Sequence, residues 1–194
     1  MTDRLRASRL FGSRVAMRHS SPPITRVWFT VQVAAVLFCM VSGLRAEPDV
    51  GVALAKAAIE RTASFVIYNG AYRQIDYPGG DVPPNIGVCT DVVIRAYRTL
   101  GVDLQQLVHE DMRAAFDEYP SQRIWGLTSP DTNIDHRRVP NLRVFFERHG
   151  TSLSIGESTE DFLPGDIVTW VLSNNRPHIG IVTSERSRSG EPLI

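Results

Sequence analysis

Cysteine is nearly absent: there are two in 194 residues, and one of them, Cys39, lies in an N-terminal segment with targeting character. A disulfide framework is therefore excluded for the rest of the chain, and Cys89 stands there as a lone thiol. Internal repeats, heptads and low-complexity runs are also missing, so nothing points to a repeat architecture. No apolar run reaches the ~20 residues that a spanning helix wants. The whole chain carries 21 basic and 21 acidic residues, but residues 47–194 hold 14 of the basic and 20 of the acidic ones, a net charge of −6. An acidic domain with no basic arm argues against nucleic acid or anionic lipid as its main partner. These 148 residues are enough for one domain with its own core and too few for two.

What is present begins with a basic N-terminus, Arg4, Arg6, Arg9, Arg14, Arg18 and Arg26, followed by a largely apolar run over residues 27–41 and then Ser42-Gly43-Leu44-Arg45-Ala46. This order predicts a secretory signal peptide over residues 1–46, cleaved after Ala46, and an exported domain over 47–194 in the periplasm or outside the cell. No stable membrane anchor is expected after cleavage. Met17 is an alternative start, and the bulky Phe38 before Cys39 argues against lipidation.

Apolar spacing predicts a first helix over residues 52–67. Residues 68–87, with Pro78-Gly79-Gly80 and Pro83-Pro84, read as a long loop that delivers the chain to Cys89. A second helix follows, with Val92, Val93, Ala96, Tyr97 and Leu100 on one face, Asp91, Arg95 and Arg98 on the other, and Gly101 as its stop. Asp103 reads as the cap of a third helix reaching residue 119, with His109 on its wet face. Residues 121–140 lack a period, and they read equally well as a solvated loop or as a substrate-binding one. A short helix over 140–148, a strand over 151–155 and a hairpin complete the chain. The hairpin strands are 167–172, entered by Pro164-Gly165-Asp166, and 178–183, with Gly180 at a point where a backbone or helix comes close.

Cys89 opens the second helix, where partial positive charge from main-chain N–H groups favours thiolate over thiol. An imidazole is the usual partner of such a nucleophile, and His178 at the start of a hairpin strand can reach the end of a helix packed on the sheet. A third polar group on the adjacent strand would fix the tautomer. Each residue also has a plainer reading: Cys89 as a small core residue, His178 as a solvated strand end, Trp125 and Trp170 as core or cleft lining. Asp135 and His136 with Cys89 lack a third ligand at metal spacing, so neither a metal nor any other cofactor is expected.

Four motifs in order carry a resemblance: Gly87-Val88-Cys89-Thr90-Asp91, Pro130-Asp131-Thr132-Asn133-Ile134-Asp135-His136-Arg137, Pro164-Gly165-Asp166-Ile167-Val168 and Pro177-His178-Ile179-Gly180-Ile181-Val182. Together they resemble the domain-of-unknown-function 1287 family and, more broadly, the papain-like cell-wall amidases of the NlpC type. The resemblance implies an α+β papain-like fold, with N-terminal helices on a small antiparallel sheet; separately, a monomer is expected. It also implies Cys89 as nucleophile and His178 as base, with the Cys89 N–H in the oxyanion hole. Asp91, Trp125, Asn133, Asp135, His136 and Arg137 would contact substrate. The third catalytic group is expected beyond Ile194, in C-terminal strands this chain lacks, with Asp135, His136 or Asn174 as substitutes within it. The expected activity is hydrolysis of amide bonds in peptidoglycan stem peptides through a thioester. The alternatives are a catalytically silent wall- or partner-binding module and a thiol acyltransferase.

Overall fold

The computed structural model describes residues 3–6, 49–154 and 158–194. Apart from Asp3–Arg6, which form strand β1, the expected signal peptide lies outside the described residues. Helix α1 spans Val50–Arg61, and the Asp49 carboxylate starts it by accepting from the Gly51 N–H at 2.8 Å. The apolar rhythm continues to Ile67, but the helix does not. Thr62 turns its hydroxyl onto the Ile59 carbonyl at 2.7 Å, and exposed Val66 and Ile67 lead into an extended segment. Ile67–Tyr68 form β2, which runs parallel to β3, Ile86–Gly87.

Helix α2, Cys89–Thr99, has no Ser or Thr at its cap; instead Asp91 reaches back to the Val88 N–H at 2.6 Å. Gly87 leaves room for that carboxylate, since a Cβ there would sit 3.2 Å from Asp91 Oδ2. The two expected faces of α2 are partly reversed. Val92 is exposed, whereas Asp91 and Arg95 are buried because each finds enough partners to offset desolvation. Helix α3, Leu104–Ala114, is capped by Asp103 as expected but stops short of residue 119, giving way to a 3-10 turn at Phe116–Glu118. The expected surface residue His109 is half-buried, with its ring edge-on to Tyr77 at 5.0 Å.

The aperiodic stretch 121–138 contains a short helix α4, Ser121–Trp125, and a 3-10 turn at Asp135–Arg137. Helix α5, Val139–His149, follows with Pro140 in its first turn, where the missing N–H costs nothing. Strand β4 covers Thr151–Leu153 and ends before Ser154, one residue short of where the described residues stop; position 155 of the predicted strand lies outside them. Strands β5, Ile167–Val171, and β6, Pro177–Ile181, make the predicted hairpin, with His178 opposite Trp170 and Asn175 at φ 61° in the turn.

The sheet order is β4-β1-β5-β6, antiparallel throughout. Helices α1, α2 and α5 pack against β6, so the protein is α+β with its core between helices and sheet. Leu54, Val93, Tyr97, Val108, Phe145, Phe146, Ile167 and Ile179 fill that core, with Tyr97 and Phe146 ring centroids 5.7 Å apart. Gly51 and Gly165 let the start of α1 cross the turn before β5 at backbone contact, where a Cβ on Gly51 would meet the Pro164 carbonyl at 2.5 Å. Gly180 has a different neighbour from the one expected. Its open side is filled first by Ile194 and the Trp170 ring.

Candidate active site

Cys89 sits half-buried at the mouth of α2, packed against the core. The main-chain N–H groups of Ile179 on β6 and Thr90 in the first turn of α2 lie near its sulfur. These N–H groups pull the thiol pKa down, but burial is the larger effect and holds it above its ordinary value, with Asp91 adding to the rise. Burial and the nearby Asp91 thus favour the thiol over the thiolate. His178 stands one residue before Ile179, its ring edge-on to Trp170 at 4.7 Å, and burial lowers its pKa. A neutral imidazole with a free lone pair is the form that accepts a proton.

Cys89 and His178 both line a cavity of about 670 Å³, walled by Tyr68, Val92, Trp170, Gly180 and Ile194. On its other side Cys89 lines a second cavity of about 230 Å³, shared with Tyr68, Trp125, Arg137, Arg138 and Pro177. Tyr68 borders both. Its hydroxyl faces the Cys89 sulfur, and partial desolvation together with that sulfur raises the phenol pKa. The period and turn signals around residue 68 concern the backbone only, so sequence reasoning missed this residue. The β2–β3 pairing, Tyr68 against Gly87, is what carries it to Cys89.

The Domain of unknown function (DUF1287) family profile matches residues 55–194. The chain belongs to that family. Among its curated relatives, the uncharacterized protein YijF of Escherichia coli (strain K12) is 49% identical over 148 residues, covering 76% of this chain and 71% of that protein. No solved structure matches the chain.

The matched segment includes every site residue named from sequence, and the fold gives these residues different positions. Trp125 and Arg137 line the smaller cavity beside Cys89, and the Arg138 guanidinium stacks on the Trp125 ring 4.0 Å from its centroid. Asp91 lies behind Cys89, accepting from Arg137 Nε and Nη2 at 2.8 and 2.9 Å as well as from Val88. The Thr90 hydroxyl donates to the Arg137 carbonyl at 3.0 Å, so the start of α2 is tied to the 3-10 turn by three bonds. Asn133, Asp135 and His136 do not border either cavity. Asn133 accepts from the Ile75 N–H at 2.9 Å and donates to the Tyr72 hydroxyl at 3.0 Å, joining the two long loops. Asp135 is buried, accepting from Asp131 N–H at 2.5 Å and Arg138 Nη1 at 3.0 Å; burial raises its pKa. His136 is buried, and desolvation lowers its pKa to about 4.

Two further residues hold the loops that sequence left unassigned. Gln105, fully buried on α3, donates to the Asp76 and Thr132 carbonyls at 2.8 and 3.0 Å and accepts from the Gly80 N–H at 2.8 Å. Arg95 on α2 pairs with Asp81 at 2.9 Å and reaches the Val82 and Ile86 carbonyls. Residues 69–85 are thereby fastened to α2 and α3. Among the described residues no group of His, Cys, Asp and Glu could hold a metal ion, and no helix is long and apolar enough to cross a membrane.

Proposed function

We propose that this protein is an exported cysteine hydrolase of amide bonds, with peptidoglycan stem peptides as substrate and an NlpC-type, papain-like arrangement of its site. One observation carries the reading: Cys89 at the start of α2 and His178 on β6 open into a single cavity, with Ile179 N–H and the Tyr68 hydroxyl at the sulfur. A raised thiol pKa and a lowered imidazole pKa both disfavour a preformed thiolate–imidazolium pair, so the proposed chemistry is general-base catalysis. His178 accepts the thiol proton as sulfur attacks the carbonyl carbon. The oxyanion accepts from the Cys89 N–H and the Tyr68 hydroxyl. The imidazolium then passes its proton to the leaving amine as the C–N bond breaks, leaving a thioester. Water, deprotonated by His178, attacks that thioester, and the released thiolate takes the proton back.

The export half of the proposal rests on the signal-like residues 1–46 and predicts a mature N-terminus at Glu47, readable by N-terminal sequencing of the processed protein; cleavage there removes β1, so in the mature protein β4 is no longer joined to the β5–β6 hairpin through that strand. The mature protein acts as a monomer. The activity is tested by mass spectrometry of a muropeptide digest. Wild type releases new amine and acid termini, whereas Cys89→Ala and His178→Ala do not; unchanged products with Cys89→Ala would end the hydrolase reading. The raised thiol pKa favours a second reading, a binding module with an inert cysteine. Under that reading Cys89→Ala leaves peptidoglycan binding intact, and wild type turns over nothing.

A further inference from the structure

The sheet contains one strand that maturation takes away. Strand β1, Asp3–Arg6, runs antiparallel to β4 on one side and to β5 on the other, with Leu5 opposite both Ser152 and Ile167. Along an inner strand, alternate residues direct their N–H and C=O groups to opposite neighbours. β5 turns its even-numbered groups to β6, with the Val182 N–H on the Asp166 carbonyl and the Leu172 N–H on the Arg176 carbonyl, so those of Ile167 and Thr169 face the slot that β1 fills. Ile167, Val168 and Thr169 are all buried with β1 in place. Cleavage after Ala46 therefore leaves two strand edges, β4 and β5, facing each other with an unpaired ladder on each, and buried main-chain groups without partners are costly. At one end the slot adjoins a cavity of about 640 Å³, walled by Thr169, Trp170 and Val171 of β5 and by Val139, Val144 and Glu147 of α5.

We infer that the mature domain binds an extended peptide segment in this slot, as an inner strand antiparallel to both β4 and β5. The inference rests on the export reading, which removes β1, and is independent of the hydrolase reading. β1 itself marks what the slot accepts, a strand of four residues in that direction. A second copy of the folded domain does not suit it, because a strand already paired in another sheet has only one free edge, whereas this slot engages both. The occupant is thus a chain terminus or linker that is unstructured until it binds, held by main-chain bonds on both sides. Directly opposed residues share a face of the sheet, so the position opposite Ile167, where the precursor has Leu5, lies on the core side and selects an apolar side chain. A segment longer at its N-terminal end runs past Thr169 toward Val171 and the adjoining cavity.

The probe is the octapeptide of residues 1–8, Met-Thr-Asp-Arg-Leu-Arg-Ala-Ser, carrying fluorescein at its C-terminus and titrated by anisotropy into the processed protein and into the full chain, whose slot is filled. The processed protein should bind it at least about tenfold more tightly than the full chain does. Leu5→Pro in the peptide, which removes the N–H that faces Ile167, should weaken binding at least about tenfold. Equal affinity for the processed and the full chain, or for the two peptides, overturns the inference. A disulfide reads the position: in the Cys89→Ala background, Thr151→Cys, at an exposed site on β4, should trap the Arg6→Cys peptide, its register partner, and not the Asp3→Cys peptide. The reverse preference overturns the assigned direction. A processed protein that sediments as a dimer and takes no peptide gives the slot to a second copy, and a monomer that takes none has closed β4 onto β5; either result overturns the inference. A protein that keeps residues 1–46 in the cell ends the export reading instead, and the same titration on the folded chain cut at a protease site inserted after Ala46 then decides whether the slot takes a strand.

Discussion

The two walls that meet at Cys89 are built on opposite principles. The sheet wall, with His178, Trp170 and Gly180, is polar only at the imidazole, which has ring contact with Trp170 and a pKa lowered by burial alone. The loop wall, residues 131–138 with Asp91 of α2 behind it, is dense in charge: Asp91, Asp131, Asp135, Arg137 and Arg138 are held by ion pairs and short hydrogen bonds. Desolvation without a partner leaves a group free to change protonation, whereas desolvation with partners fixes a group in place. The first wall is thus suited to move protons, and the second to hold the helix that presents the nucleophile.

Substitutions can break this contrast, and the largest effect should fall on the reacting atom. Cys89→Ala is expected to lower turnover of muropeptides by about 10³ or more while leaving the thermal midpoint nearly unchanged, measured by product formation beside a melting curve. On the loop wall the loss should instead be stability. Asp91→Ala strands a buried guanidinium and should cost about 3–5 kcal/mol in urea denaturation, and removing both charges as Asp91→Ala/Arg137→Met should cost less than the single change.

Acid separates the walls further. His136 titrates at about 4 in the fold, against ~6.5 when unfolded, so between these values the unfolded state binds the proton and the native state does not. Its contribution is complete above ~6.5 and is lost as pH falls to about 4, about 3 kcal/mol in all, readable as denaturation midpoints against pH that flatten in His136→Gln. On the sheet wall the same sign appears in rate. His178 must be neutral to act as base, so kcat/KM should rise with pH through a midpoint below the usual histidine value, and a midpoint above it would contradict the neutral pair. The smallest effect should be Trp125→Ala, below about 1 kcal/mol in stability, because its stacked partner Arg138 keeps its bond to Asp135.

How far the sequence carried depended on which physics wrote the pattern. Helix α2 and the β5–β6 hairpin were legible because apolar period and turn residues act locally, and they put Cys89 at the start of a helix and His178 on a hairpin strand. The end of α1 was not, because Val66 and Ile67 keep the apolar rhythm while the backbone turns extended to pair with β3. Asp91 and Arg95 looked solvated because charge usually is; their burial depends on Arg137 and Asp81, which lie 46 and 14 residues away. Tyr68 and Gln105 carry no local signal at all, since their roles exist only once separate loops meet.

The most direct test of the account is the intact mass of the protein quenched in acid during reaction with muropeptides. The account predicts an added mass equal to the acyl part of one product, located on Cys89 by digestion and absent from Cys89→Ala. Product formation with no adduct, at equal rate in wild type and Cys89→Ala, would contradict it.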